Sequence, residues 1–248
     1  IADVTKTTVG QPIGMFYGYV TDGIYKSVEE VMNYNTMPYG VVDQADLAES
    51  ADSWVGRFKF KDINGDGKIT ADDRDYIGNP HPDVTGGVNL GFGYKNWDLS
   101  TYLYYTIGND LYAHYELYTN WGQLANVFTY ERVENGWHPE KNPNGTLPMF
   151  VRGDTHAETN VSHTNYIQDG SYLRMQTLTL GYTLPKKWLN KIKMSRIRFY
   201  AQLSNVFTIT GYEGLDPEVY QGSDRSRGID YGSYGMPRQY LFGVNIDF

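Results

Sequence analysis

The stretch Val88-Asn-Leu-Gly-Phe-Gly-Tyr-Lys-Asn-Trp-Asp-Leu-Ser-Thr-Tyr-Leu-Tyr-Tyr-Thr-Ile107 decides the fold class. Val88, Leu90, Phe92 and Tyr94 fall on one face of an extended chain, and Asn89, Gly91 and Gly93 on the other. A tight Lys95-Asn96 turn follows. Trp97, Leu99, Thr101, Leu103, Tyr105 and Ile107 then share a face opposite Asp98, Ser100, Tyr102, Tyr104 and Thr106. Alternation sustained this long predicts strands. The second is about as long as a strand that crosses a hydrocarbon core at a tilt.

Outward from this hairpin the alternation recurs. Within 172–184, Leu178, Leu180, Tyr182 and Leu184 share a face. Ile197, Phe199, Ala201, Leu203 and Phe207 oppose Arg198, Tyr200, Gln202 and Ser204. In the last strand Tyr240, Phe242, Val244, Ile246 and Phe248 oppose Gln239, Gly243, Asn245 and Asp247. Connections alternate between short (95–96, 185–195) and long (109–170, 211–236), and neither long segment holds a sustained period. A soluble sandwich gives the same local pattern. Strand length, loop asymmetry and aromatic placement favour a membrane β-barrel, with its short turns, long loops and aromatic girdles. Tyr94, Trp97, Tyr182 and Phe248 mark the short-turn ends, with Trp188 just beyond; Tyr105, Phe207 and Tyr240 lie towards the long-loop ends. An alternating strand that ends on Phe248 suits the strand that closes a barrel.

Composition sets the outer bounds. In 248 residues there are 23 Tyr and 27 Gly, which favours twisted strands with amphipathic rings at wet–apolar boundaries. A net charge of −8 with no basic stripe argues against a nucleic-acid surface. With no cysteine, disulfides and thiolate metal sites are excluded. No apolar run is long enough for a transmembrane helix, which leaves a barrel open. The start at Ile1-Ala-Asp-Val, with no initiator Met and no leader pattern, is the start expected of a fragment or processed piece. Residues 12–25 read as extended, 28–32 as a helical turn, and the polar, acidic 38–53 as loop.

A second stretch carries chemistry. In Asp62-Ile-Asn-Gly-Asp-Gly-Lys-Ile-Thr-Ala-Asp-Asp73, oxygen-bearing side chains stand at loop positions 1, 3, 5, 9 and 12, with Gly67 at position 6. Asp62, Asn64, Asp66, Thr70, Asp73 and the backbone carbonyl of Lys68 are the expected ligands of a divalent cation, Ca²⁺ or Mg²⁺, with Ile69 turned inward as anchor. Asp73 replaces the longer Glu of an EF-hand, and Arg57-Phe-Lys-Phe-Lys61 before it alternates like a strand, so this is not a helix-flanked calcium sensor. The alternative is an Asp/Asn/Gly-rich turn that binds nothing.

Other constellations are weaker. The five histidines, His81, His114, His138, His156 and His163, show no ligand spacing. The pairs Glu29/Glu30 and Asp72/Asp73 are adjacent in sequence, which does not place two carboxyls across a sugar. Asp216-Pro-Glu218 reads as a turn, and Gly91 and Gly93 as strand glycines packing a crowded interior rather than a nucleotide fingerprint. No catalytic set is found, and the chain is read as a non-enzyme. Among the loop aromatics Tyr112, Tyr115, Tyr118, Trp121, Tyr130 and Trp137, the expected substrate contacts are Tyr118, Trp121 and Trp137, against the alternative that such rings pack the loop on itself.

Several blocks share a family's wording: Lys61 to Arg74 followed by Ile77-Gly-Asn-Pro80 and Gly86-Gly87, Gly10 to Tyr25, Tyr172 to Pro185, Leu203 to Tyr212 with Asp216-Pro-Glu218, and Pro237-Arg-Gln-Tyr240. In this order they resemble the C-terminal barrel portion of SusC/RagA-type TonB-dependent outer-membrane transporters of Bacteroidetes. The resemblance implies an all-β fold, part of an antiparallel transmembrane barrel of about 22 strands. It implies a plug and remaining strands elsewhere in the same transporter, energy from TonB, a SusD-like surface lipoprotein as partner, outer-membrane lipid around the barrel, and import of glycan or peptide oligomers. On that reading 1–57 is a barrel strand and extracellular loop region, 58–85 an extracellular loop with the EF-hand-like site, and 86–248 the C-terminal strands. The rival is a secreted all-β, calcium-containing glycan-binding module.

Overall fold

The computed structural model describes residues 4–34, 36–119, 129–150, 161–219 and 222–248. In chain order, β1 (Thr5–Lys6), β2 (Met15–Gly18), β3 (Thr21–Ile24), α1 (Val28–Asn33), α2 (Gln44–Trp54), β4 (Phe58–Phe60) and β5 (Asp75–Gly78) precede two long strands, β6 (Val84–Tyr94) and β7 (Trp97–Ile107). Then come β8 (Asp110–Tyr112), α3 (Glu116–Thr119), α4 (Tyr130–Asn135), β9 (Ile167–Asp169), β10 (Tyr172–Thr183), α5 (Lys186–Ile192), β11 (Arg196–Thr210) and β12 (Gln239–Asp247). No helix among the described residues is long and apolar enough to cross a membrane, which says nothing about crossing with strands.

The chain divides into two units. One comprises Ile1–Pro80, Leu111–Gln168 and Val219–Gly232; the other comprises His81–Asp110, Asp169–Glu218 and Ser233–Phe248. Residues 1–57 and most of 58–85 fall in the first unit, and 86–248 contributes to both.

The second unit is the sheet that the alternation predicts. Its five antiparallel strands run in the order β12-β11-β10-β7-β6. Register keeps the apolar residues together: Phe92 pairs with Leu99, Leu99 with Leu180, Leu178 with Leu203, and Ala201 with Phe242. That face is bare, with Phe92 65% and Phe242 80% exposed. β6 and β12 are edges, so the sheet does not close among the described residues.

A bulge modifies the pattern. Between Met175 and Thr177 the pairing of β10 slips against both neighbours. On β11 it is matched by Asn205 in the left-handed region at φ 52°. An extra residue flips every side chain beyond it. Leu173 and Met175 therefore join the apolar face, opposite Tyr105 and Leu103, while Tyr172 and Arg174 turn to the polar one, opposite Thr106 and Tyr104.

The first unit is built from what the sequence reads mostly as loop. Its core is aromatic, in three clusters: Tyr19, Ile24, Phe58, Phe60, Ile69 and Trp137 in one, Val4, Phe16, Tyr112, Tyr166 and Ile229 in the next, and Tyr25, Val31, Leu47, Ala51 and Trp54 in the third. Each ring removed from water contributes about 1.5–3 kcal/mol. The third cluster corrects the loop reading of 38–53, because α2 occupies most of it. Asp43 caps its N-terminus by accepting from the amides of Ala45 and Asp46, both at 2.9 Å. Leu47, Ala51 and Trp54 then fall one turn apart on its buried face. α1 is capped likewise, Ser27 accepting from the Glu30 amide and Glu30 from that of Lys26.

Candidate functional site

The Asp62–Asp73 loop joins β4 to β5 and is organised by its own carboxylates. Asp62 accepts from the amides of Gly65 at 2.6 Å and Gly67 at 2.7 Å. Asn64 Oδ1 accepts from the Asp66 amide at 2.8 Å, and Asp66 Oδ1 from the Lys68 amide at 2.9 Å. Gly65 and Gly67 both take positive φ, 77° and 83°, which lets the chain fold back on Asp62. Ile69 is buried against the first aromatic cluster, as its anchoring role requires.

Asp73 closes the loop from within. It is 0% exposed; its Oδ1 accepts from the Ile63 amide at 3.0 Å and its Oδ2 from the Thr70 amide at 2.7 Å. The Gly67 amide above all, with those of Gly65 and Asp66 and the adjacent Asp73 carboxyl, holds the Asp62 carboxyl below the usual carboxylate range. The donor set fits a hard cation, being all oxygen. No group of three or more His, Cys, Asp or Glu side chains is assembled for a metal among the described residues. A cation here therefore needs the Asn64 amide oxygen, the Lys68 carbonyl and the Thr70 hydroxyl besides Asp62, Asp66 and Asp73.

The three aromatic candidates separate. Trp137 is 4% exposed and belongs to the first core cluster. A Cβ on Gly56 would meet its ring at 3.2 Å. This corrects the expectation that Trp137 touches substrate: a ring enclosed by its own unit has no face left to offer. Trp121 lies outside the described residues. Tyr118 is half-buried, with the His114 ring edge-on at 5.6 Å. Two of the histidines, His114 and His163, are packing groups. His163 is fully buried and stacks on Tyr166 at 4.3 Å, and burial drives its pKa down to about 3, so it stays neutral. Burial also lowers the pKa of His114, which is packed among Tyr112, Tyr118 and Tyr231.

The polar face of the sheet carries two ion-pair groups that sequence reasoning missed. Towards the short turns, Arg198 reaches over the middle strand to Asp98, with Nε to Oδ1 at 3.0 Å and Nη2 to Oδ2 at 2.5 Å. Gly181 lies beneath the pair, and a Cβ there would fall 2.4 Å from Arg198 Nη2 and 2.5 Å from the Asp98 carboxylate. Tyr200 similarly lies over Gly243, and Tyr102 over Gly87, whereas Gly91 and Gly93 face open space rather than a crowded interior.

Towards the long loops, Arg174 is 2% exposed and is bound on three sides. Its Nη2 meets Asp216 at 2.5 Å, its Nη1 meets Glu218 at 2.7 Å, and its Nε donates to Thr208 Oγ1 at 2.9 Å. Asp216 also accepts from the amides of Glu218 at 2.9 Å and Met236 at 2.8 Å. Burial pushes the Asp216 carboxyl up, but those amides and the guanidinium outweigh it and hold it below the usual range. Asp216-Pro-Glu218 is thus more than a turn. It is the anchor of the 211–236 segment, and the bulge at 175–177 is what aims Arg174 at it.

No family model matches the chain. It is 34% identical over 246 residues to TonB-dependent receptor P3 of Formosa agariphila, covering 96% of this chain and 22% of that protein. It is 31% identical over 191 residues to TonB-dependent receptor SusC of Bacteroides thetaiotaomicron, covering 76% of this chain and 17% of that protein. Among solved structures it superimposes on the RagAB peptide transporter with a TM-score of 0.72 at 21% identity, over 100% of this chain and 24% of that one. The chain therefore spans a quarter or less of the relatives it matches in sequence. A bare-faced antiparallel sheet, the blocks quoted above and these relatives agree: the chain belongs to the SusC/RagA type of TonB-dependent receptors.

Proposed function

We propose that this chain is the C-terminal barrel part of an outer-membrane transporter that imports nutrient oligomers by a TonB-driven movement of its plug, beneath a SusD-like lipoprotein. The observation that carries this reading is the apolar face shared by all five strands, exposed from Phe92 at one edge to Phe242 at the other. A soluble sandwich would bury that face, and a barrel in lipid would not. Lipid does not tolerate open sheet edges, so the edges at β6 and β12 call for the remaining strands of a closed barrel. The functional role is transport rather than catalysis. A peptide cargo has the support of one structural neighbour, RagAB, a peptide transporter. Tyr118 is the described residue retained as a candidate substrate contact.

The test uses the full-length protein. It should leave cell envelopes only with detergent and run as a heat-modifiable band. A strain lacking it should lose growth on one class of oligomer, peptide or glycan, supplied as sole source. Extraction into buffer without detergent would overturn the reading in favour of a secreted module.

Within that reading the Asp62–Asp73 loop holds Ca²⁺ on the extracellular side, since β6 leads from it to the short turn at 95–96. The ion would neutralise the adjoining carboxyls of Asp62 and Asp73 and brace the loop on the first aromatic cluster. Metal analysis should find about one Ca²⁺ per chain, lost to chelator together with protease resistance at 62–73. A protein that takes up no metal from excess Ca²⁺ would contradict this.

A further inference from the structure

At the short-connection end of the sheet, two features adjoin that neither transport nor the cation loop uses. The first is a groove of about 410 Å³ on the apolar face, lined by Trp97, Leu180, Tyr182, Phe199, Ala201 and Phe242. That is within the range of ligand sites, about 300–1,000 Å³. Its floor is Ala201, which stands in register between Leu180 on β10 and Phe242 on β12. A methyl among large neighbours leaves a trough where a flat belt would have a ridge. Towards the short connection the trough is walled by aromatic rings, with Trp97 and Tyr182 at 4.7 Å.

The second feature is charge. The connection from β10 to β11 holds Lys186, Lys187, Lys191 and Lys193 with no acid between Leu184 and Arg198, in a chain whose net charge is −8. All four lysines are exposed, and none forms an ion pair among the described residues. Trp188 on the same helix is 55% exposed. Lys95, in the neighbouring short turn, lies over the Tyr94 ring at 5.2 Å. Of the nearby carboxylates, Asp98 pairs with Arg198 across Gly181, and Asp247 stands in register with Arg196.

We propose that this corner binds one anionic phospholipid, with an acyl chain in the groove over Ala201 and the headgroup phosphate among the lysines of α5. The proposal rests on the membrane reading above. An apolar trough alone would be filled by any acyl chain. A cluster of unpaired lysines four residues beyond Tyr182 adds selection by headgroup charge, because ammonium groups near a bilayer surface attract anionic lipid additively. Lysines suit this role, since their stems lie along apolar surface while the charge stays at headgroup level.

Native mass spectrometry of the full-length transporter in mild detergent tests it, with phosphatidylglycerol titrated against phosphatidylcholine. One phosphatidylglycerol should be retained with roughly tenfold preference. The combined variant K186Q/K187Q/K191Q/K193Q should lose the preference. Ala201→Leu, which fills the trough, should lower retention of both lipids and leave the lysines in place. A heat-modifiable band for each variant shows that the barrel has folded. Equal retention of both lipids by the unaltered protein overturns the proposal, as does a preference that survives the lysine changes. Ala201→Leu splitting a dimer with lipid retention unchanged overturns it in favour of a second copy on this face. Detergent-free solubility is a different outcome, since it removes the membrane reading itself.

Discussion

The two units place their aromatic rings by opposite rules. In the first, Phe16, Tyr25, Tyr166 and Phe60 are buried in clusters. In the second, Phe92, Tyr94, Tyr240, Phe242 and Phe248 are exposed on one face, while Arg174 is the side chain most fully enclosed. One chain thus contains a part that excludes water by folding on itself and a part whose apolar face needs an apolar solvent. The arrangement fits a barrel that carries water-facing structure on its loops. It also means that the same kind of substitution should act differently in each.

The largest effects should come from the buried anchors. Trp137→Ala should cost the first unit about 3–5 kcal/mol, seen as protease sensitivity of its segments while the barrel band remains heat-modifiable. Loss of the band would mean that the units do not fold separately. Arg174→Met removes one partner of a buried ion pair and should cost about 3–5 kcal/mol by leaving Asp216 and Glu218 uncompensated. Here the 211–236 segment should loosen, and Asp216→Asn with Glu218→Gln should partly restore it. Next in size, Phe92→Arg on the bare face should cost on the order of 1–2 kcal/mol, since Phe92 lies between the middle of β6 and the girdle residue Tyr94, and should lower the yield of inserted barrel. Arginine at Gly91, one residue away, should be much milder. Equal effects at 91 and 92 would break the distinction between faces.

The sheet was legible in the sequence because alternation is local: each residue of β6 or β7 reports its own face. Even there the bulge was not read, although the change of parity between Met175 and Leu178 marks it. The first unit was mostly not legible. Its contacts join distant segments, such as His163 against Phe58 and Tyr112 against Ile229, so no window of sequence holds a period. α2 is the exception, since Asp43 followed by Leu47, Ala51 and Trp54 is a capped helix hidden by acidic composition. The ring of Trp137 could not be assigned to core or ligand without knowing what encloses it. The cation loop was legible in spacing, but the inward role of Asp73 was not, because it depends on the amides of Ile63 and Thr70 converging on one carboxylate.

Smaller effects sharpen the same contrast. Asp216 has a lowered folded pKa, so its contribution is fully present above the unfolded value, about 3.9, and is lost as pH falls through the lower folded value. A spin label at Leu215 should keep its mobility from pH 7 to 5 and gain mobility only below about pH 4. A gain between pH 8 and 6 would point to a different titrating group. Smallest, Gly181→Ala should displace the Arg198–Asp98 pair at a cost of about 1 kcal/mol or less. Combined with Asp98→Asn it should be less than additive in thermal melts, and full additivity would show that Gly181 serves another purpose.

The central claim, that the apolar face of the sheet meets lipid, is tested most directly by spin labels placed singly at residues 88–93 of the full-length protein in bilayers. This chain has no cysteine of its own to interfere. Accessibility to oxygen should peak at Val88, Leu90 and Phe92, and accessibility to a water-soluble nickel complex at Asn89, Gly91 and Gly93. The opposite phase, or no alternation at all, would contradict a lipid-facing sheet.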